Sequence, residues 1–400
     1  MKVYILTGEP FPNGMAATNR IKCYARAIKE GGIDCEVVIF RRTERYGVKP
    51  KNTDGQGKIE GGIPYRFIGG TPLRGSNVFK RQIDDRLDII RAKKYLQHNL
   101  KQGDVLFLYM GRPMELMNSY VKIAHKNGAF CIRDLCELPY GTGTETEETI
   151  RLRKEMTEKL FPQFDGIISI SDALLNMARI YTSSTCKYIK IPILVDFDQY
   201  YVNSKPEQVN VPYIFHAGTL TQQKDGILGM IEAFGMARQQ IPFPVKYILT
   251  GKIEEASHSN ELIATIKKYN LTDSIEFVGY LTSVQIRDYL KYASLVISNR
   301  HKSKQDYYGF STKVGEYLAS GTPLITTNWG ETVNWLKDGI SAYIIEPEDK
   351  DALAQAIVRM FSHSEEAKQI GLAGQEVCRR CFDYHNWSQP LVEFMYNLGK

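Results

Sequence analysis

The chain has 400 residues, 43% of them hydrophobic and 24% charged, with a formal net charge of +6. That balance excludes large-scale disorder and suits two domains, each with its own core. The charge is too mild to point to nucleic acid; it fits weak attraction to anionic lipid or to a phosphorylated substrate. No apolar run reaches the ~18 residues a spanning helix needs. The opening MKVYILTGEP enters a strand without the features of a signal peptide, so a cytoplasmic location is expected, with any membrane contact peripheral and at the inner face. The seven cysteines (Cys23, Cys35, Cys131, Cys136, Cys186, Cys378, Cys381) are odd in number and scattered, which argues against a disulfide framework. Cys378 and Cys381 form a lone CxxC with no second pair, read as reduced thiols on a helix.

Val3–Leu6 reads as a short buried strand, followed by the loop TGEPFPNGMAATN and a helix patterned by Ile21, Tyr24, Ala25 and Ile28. A strand over Glu36–Phe40 completes a β-α-β unit. Parallel sheets take ligands at the carboxyl ends of their strands, so the loop around Gly14 belongs to a cleft. Its spacing is not GxGxxG, which removes the main support for a dehydrogenase. Arg41–Thr71 is polar and glycine-rich, an exposed excursion before a strand at Tyr65–Ile68. Arg74–Lys101 is a basic helix with apolar spacing (Val78, Ile83, Leu87, Ile90, Leu96). It suits an anionic membrane or a lipid-linked diphosphate, although Asp84, Asp85 and Asp88 dilute the charge and also fit a solvated face.

Strands at Val105–Tyr109 and Phe130–Leu135 flank a helix over Met114–Lys126. The second ends in IRDLCELPYGTGTE, where Arg133, Asp134 and Glu137 cluster. Charges at the end of a buried strand are costly unless paired, so Arg133 is expected to pair with Asp134 or Glu137. A strand at Asp165–Ser171 and a polar, proline-containing linker at Val202–Pro212 follow.

The same grammar then restarts. YIFHAG at Tyr213 is a strand, TLTQQKDG a loop, and Ile227–Arg238 a helix; glycine, a polar loop with Lys224 and a helix start make a phosphate cradle. Strands at Val245–Thr250 and Ser274–Leu281 bring Gly251 and Tyr280 to the same edge. The stretch YGFSTKVGEYLASGTPLIT, Tyr308–Thr326, is the centre of the reading: a helix beginning near Ser311, stopped by Gly321 and Pro323, then a buried strand. Such a helix start presents open N–H groups at Ser311 and Thr312, with Glu316 in its second turn.

GFSTKVGEYLASGTPLITTNWGETVNWLKDGISAYIIEPED resembles the C-terminal half of the glycosyl transferases group 1 family. The resemblance implies an α/β chain of the GT-B fold, two Rossmann-like doubly wound domains facing across a cleft: 1–205 for the acceptor, 206–375 for a nucleotide sugar, and 376–400 crossing back. It implies a retaining glycosyltransferase acting on a glycan or lipid-linked acceptor in surface polysaccharide or glycolipid assembly, with a UDP-, GDP- or ADP-sugar as donor and no other cofactor. No DxD-type motif stands out, since Asp84 and Asp85 lie inside a helix pattern, so no metal requirement is expected. An epimerase on the same fold, or a nucleotide-sugar-binding subunit without turnover, are the rival readings. Glu316 matches the family's second motif glutamate, while Tyr308 stands where the first belongs. Lys224 matches the lysine facing the donor diphosphate, and Thr219 takes the arginine's place. The implied donor site holds Gly14, Thr219, Lys224, Gly251, Tyr280, Leu281, Tyr308, Ser311, Thr312 and Glu316. Lys224 and Glu316 are the catalytic candidates there, and Asp134 is the candidate on the acceptor side.

Overall fold

The computed structural model describes the chain except residues 112, 142–144, 202–209, 219 and 257 and the side chains at 223 and 224. It divides into two compact units, Met1–Leu194 with Tyr384–Lys400, and Val195–Asp383. The division falls earlier than the expected 206, because the chain from Val195 already packs with the second unit, where the Val195 N–H donates to Phe382 O.

In the first unit the chain runs β1 (Lys2–Thr7), α1 (Ala16–Glu30), β2 (Asp34–Ile39), β3 (Gln56–Lys58), β4 (Pro64–Phe67), α2 (Val78–Asn99), β5 (Val105–Tyr109), α3 (Met114–Lys126), β6 (Phe130–Leu135), α4 (Glu147–Lys159), β7 (Gly166–Ser169), α5 (Asp172–Tyr181) and β8 (Lys187–Lys190). The strand order is β3-β4-β2-β1-β5-β6-β7-β8. Only the β3–β4 pairing is antiparallel. The strand β3 lies inside the excursion read as irregular: Gln-Gly-Lys has little strand propensity, and pairing with β4 at the sheet edge supplies the order. The strands are apolar on both faces because helices cover both, as in parallel sheets generally. Val3, Ile5, Val37, Ile39, Phe107 and Ile132 form the core with Ile21 and Tyr24 of α1. The chain order switches at β1, which has β2 on one side and β5 on the other, and this opens a crevice at the strand ends.

Gly14 precedes α1 for a packing reason. A Cβ there would lie 1.9 Å from Thr18 Oγ1, whose hydroxyl donates to Pro10 O at 2.6 Å.

In the second unit the order is β9 (Tyr213–His216), α6 (Gln222–Asp225), α7 (Ile227–Arg238), β10 (Lys246–Leu249), α8 (Ser259–Lys268), β11 (Ile275–Phe277), α9 (Ser283–Tyr292), β12 (Leu295–Ser298), α10 (Lys304–Tyr308), α11 (Thr312–Ala319), β13 (Leu324–Thr327), β14 (Tyr343–Ile345), α12 (Lys350–Ser362) and α13 (Ser364–Cys381). Its strands lie in the order β11-β10-β9-β12-β13-β14, with the recorded pairings parallel. The switch point here is β9, between β10 and β12. The final helix, α14 (Ser388–Tyr396), belongs to the first unit and buries Leu391 and Met395 in its core, with Trp387 packed alongside.

The charged end of β6 departs from expectation. Asp134 pairs with Arg20 of α1, not with Arg133: the Arg20 guanidinium donates to both carboxylate oxygens at 3.2 and 3.3 Å and to the carbonyl of Ile191, and Tyr24 donates to the same carboxylate at 2.8 Å. Arg20 and Asp134 come from positions 114 residues apart, which no local pattern reveals. Arg133 instead lies over the rings of Phe161 and Phe164, donates to Met156 Sδ at 3.2 Å and leaves Nε without a partner. Burial pushes its pKa down to about 10.

A buried ion pair that loses one member is far costlier than a buried charge replaced by an apolar side chain. Asp134→Asn is therefore expected to destabilise the protein by about 3 kcal/mol, and Arg133→Met to leave stability unchanged or raise it. Urea unfolding of the two variants checks this; equal losses would show that Arg133 has a partner of comparable worth.

Candidate active site

At the end of β9 the chain turns through His216, Ala217 and Gly218. The Ala217 N–H donates to the Tyr317 hydroxyl at 3.1 Å, and the Gly218 N–H donates to Thr250 Oγ1 at 2.9 Å. These bonds fasten the loop to α11 and to the end of β10. Gly251, with φ of 91°, continues from Thr250 and bridges to Gly279, its N–H donating to Gly279 O at 2.7 Å. A side chain at Gly251 would be strained and would press on Leu220, with Gly218 O only 3.8 Å from its Cβ position.

The helix α11 begins at this edge. Ser311 is its N-cap residue but makes no side-chain capping bond, so the Thr312 and Lys313 amides keep their donor capacity and the positive end of the dipole is open. Lys313, in that first turn, forms an ion pair with Asp225 at the end of α6. Burial holds the Lys313 ammonium below the ordinary lysine pKa, with Asp225 opposing the shift. Burial would also raise Asp225, but His216 and Lys313 outweigh it and keep the carboxylate well below its usual range. Gly218 lets this happen: a Cβ there would stand 2.5 Å from Lys313 Nζ and 2.7 Å from His216 Nε2.

His216 is 1% exposed, and neither ring nitrogen has a hydrogen-bond partner; its Nε2 is 3.9 Å from Asp225 Oδ2, which is also unpartnered. Burial and the Lys313 charge push the imidazole pKa down, so it is neutral near pH 7. Glu316, one turn beyond Thr312, makes no hydrogen bond among the described residues. Burial raises its pKa, against the pull of Lys313 and Arg287. Open amides, a partly buried ammonium and a free carboxylate on one helix form an arrangement for an anion joined to hydroxyl groups.

Ser311, Thr312 and Glu316 are thus together on α11, and Gly251 lies beside Gly218 at the same edge. Tyr308 ends α10, its ring 5.4 Å edge-on to that of Tyr307. Tyr280 is 72% exposed with its hydroxyl bonded to Glu255, free of any core, and Leu281 beside it is half-buried. Thr219 and the Lys224 side chain lie outside the described residues; the backbone of Lys224 is in α6, next to Asp225. Gly14 and Asp134 belong to the first unit, where Asp134 is occupied by Arg20 and Tyr24. Sequence reasoning missed Lys313, Asp225 and His216. Lys313 left one signal, a cation two residues past the helix start in an otherwise apolar stretch. No cluster of three His, Cys, Asp or Glu side chains suited to a metal occurs among the described residues.

Residues 211–363 match the family model described as glycosyl transferases group 1. The second unit is a glycosyl transferases group 1 domain. A relative, mannosylfructose-phosphate synthase of Agrobacterium fabrum, is 25% identical over 168 residues, which is 41% of this chain and only 36% of the relative's length. The solved structure of sucrose-phosphate synthase from Thermosynechococcus elongatus superposes with a TM-score of 0.74 at 16% identity, covering 100% of this chain and 99% of that one. HepE of Anabaena, solved with UDP and glucose, gives a TM-score of 0.70 at 15% identity, covering 99% of each chain. These likenesses establish the GT-B fold, with its two Rossmann-like units.

Lys313→Met strands Asp225 as a buried carboxylate and is expected to cost about 3 kcal/mol of stability. Adding Asp225→Asn should recover most of that loss in chemical unfolding. Additive losses in the double variant would rule out direct coupling.

Proposed function

We propose that this group 1 glycosyltransferase moves a sugar from a nucleoside diphosphate sugar to a glycan or lipid-linked acceptor, with retention and without a metal ion, in surface polysaccharide or glycolipid assembly. The observation that carries the reading is the uncapped start of α11 with Lys313 and Glu316 on it, facing the Gly218 turn. The UDP and glucose in HepE support a nucleotide sugar as the donor class. Retention rests on the family resemblance.

In the reaction the bond from the anomeric carbon to the β-phosphate oxygen breaks, its electron pair leaving on the diphosphate. The acceptor hydroxyl oxygen bonds that carbon and passes its proton to the departing phosphate oxygen. Negative charge therefore grows on the diphosphate, where preorganised donors have their largest effect. The amides of Thr312 and Lys313 and the Lys313 and Lys224 ammonium groups supply those donors; two lysines and a helix terminus take the place of a divalent cation. Glu316 accepts from ribose hydroxyls. Lys313 stands in for the cation missing at Thr219, and Tyr308 offers a phenol where the family has a carboxylate.

A thermal-shift panel of UDP, GDP, ADP and their sugars identifies the donor. With that donor, Glu316→Ala and Lys224→Ala are each expected to lower kcat/KM by about a hundredfold, or 2.7 kcal/mol, with chelators having no effect. Wild-type kinetics in both variants would remove the site, and nucleotide binding without turnover on any acceptor would favour a binding subunit.

The affinity for the nucleoside diphosphate also has a pH signature. Binding needs Lys313 protonated and Glu316 ionised; the first pKa is lowered and the second raised. Affinity should fall as pH rises, earlier than for an ordinary lysine, and fall again on acidification, earlier than for an ordinary glutamate. Glu316→Gln should abolish the acid limb in calorimetric titrations.

A further inference from the structure

The amphipathic helix α2 turns Asp84 and Asp88 away from solvent and leaves Asp85 partly exposed but paired. Asp84 and Asp88 accept from Arg42 at 2.7 and 3.2 Å, Asp88 also accepts from Arg91 at 2.9 Å, and Asp85 pairs with Arg74 at 3.5 Å. The dilution of positive charge suggested by the sequence is therefore reduced on the outer face to Asp85, itself paired with Arg74. Asp85 aside, no exposed residue of α2 carries a carboxylate; the exposed cations are Lys80, Arg86, Arg91 and Lys94. Between them runs an apolar stripe at spacings of four, four and three: Phe79 at 76% exposure, Ile83 at 58%, Leu87 at 41% and Ile90 at 49%.

The segment that enters α2 repeats the arrangement. Leu73, itself exposed, bridges to Glu44, and Arg74 N–H donates to Glu44 O at 3.0 Å. Glu44 is buried, its carboxylate taken by the Lys51 N–H and the Asn52 side chain. The loop beyond it exposes Arg45, Tyr46, Val48, Lys49 and Lys51. Again the acid points in while bases and apolar groups point out.

We propose that the outer face of α2, with the 45–51 loop, docks on an anionic lipid surface. The stripe inserts at the level of the headgroups while Lys80, Arg86 and Lys94 pair with lipid phosphates and carboxylates. Four large apolar side chains left in water on one helix are costly without a covering phase, and their basic margins select a negative one. A polyanion such as nucleic acid would satisfy the cations and leave the stripe uncovered. The helix lies within a chain that has no helix, among the described residues, long and apolar enough to cross a membrane, so the contact is interfacial. This inference stands independently of donor choice or transfer chemistry.

The test is co-sedimentation of the full chain with phosphatidylcholine vesicles, alone or with about a third phosphatidylserine. Binding is expected only with the anionic vesicles and should weaken as salt rises. The double variant Ile83→Asp, Leu87→Asp should lose binding at least tenfold, and Lys80→Gln with Lys94→Gln by roughly fivefold per charge. All four sites are exposed, so unchanged thermal unfolding certifies the variants as folded; should either fail to fold, Phe79→Ser replaces it. The proposal is overturned by equal binding to neutral vesicles, by wild-type binding of the double aspartate variant, or by a concentration-dependent dimer that this variant dissolves without any vesicle binding.

Discussion

The ion pair between Lys313 and Asp225 is the constraint on which the second unit's functional edge depends. It ties the first turn of α11 to the end of α6, two elements 88 residues apart in sequence. Each charge is largely removed from water, and such a pair holds only because each partner supplies what the other lost in hydration. Gly218 is part of the same constraint, since any side chain there would occupy the path of the lysine. Gly251, beside the Gly218 turn, is set instead by its φ of 91°, which a residue with a side chain rarely adopts. The edge is accordingly made of amides, one ammonium and one carboxylate, with apolar packing held behind it by Val314, Tyr317 and Leu318 of α11.

Much of the scaffold was legible in the chain because parallel sheets write themselves in short apolar runs. The strands at Val105–Tyr109 and Phe130–Leu135 and the helices Met114–Lys126 and Ile227–Arg238 have the bounds that periodicity and flanking glycines suggest. Not every strand was legible: Tyr343–Ile345 is a three-residue strand at the edge of the second sheet. Gln56–Lys58 is ordered by its neighbour, and Lys187–Lys190 has only Tyr188 and Ile189 between two lysines at the edge of its sheet, too short an apolar run to mark it. Of the site, the α11 start and Glu316 could be read because helix initiation is a local signal. The partners of buried charges could not. Asp134 reads as adjacent to Arg133 in the chain, yet successive residues of a strand point to opposite faces, and its carboxylate meets the arginine of a distant helix. Lys313 and Asp225 likewise show their pairing only in three dimensions.

The two units use one device with opposite completeness, and the difference separates a structural lock from a ligand site. In the first unit Arg20 reaches from the second turn of α1 to Asp134 at the end of β6, and every polar group is satisfied: both carboxylate oxygens accept, and the guanidinium spends its remaining donors on Ile191 and Pro192 carbonyls and the Tyr24 hydroxyl. Nothing is left over to bind a ligand. In the second unit Lys313 reaches from the first turn of α11 to Asp225, but Asp225 Oδ2 and both nitrogens of His216 remain without partners at nearly complete burial. Unsatisfied buried polar atoms each cost on the order of 1–3 kcal/mol. A fold that tolerates three of them around one ammonium and an uncapped helix has retained capacity that only a polar ligand would use. Asp134 is therefore better understood as the anchor of α1, and the chemistry of the chain concentrates where its hydrogen bonding is incomplete.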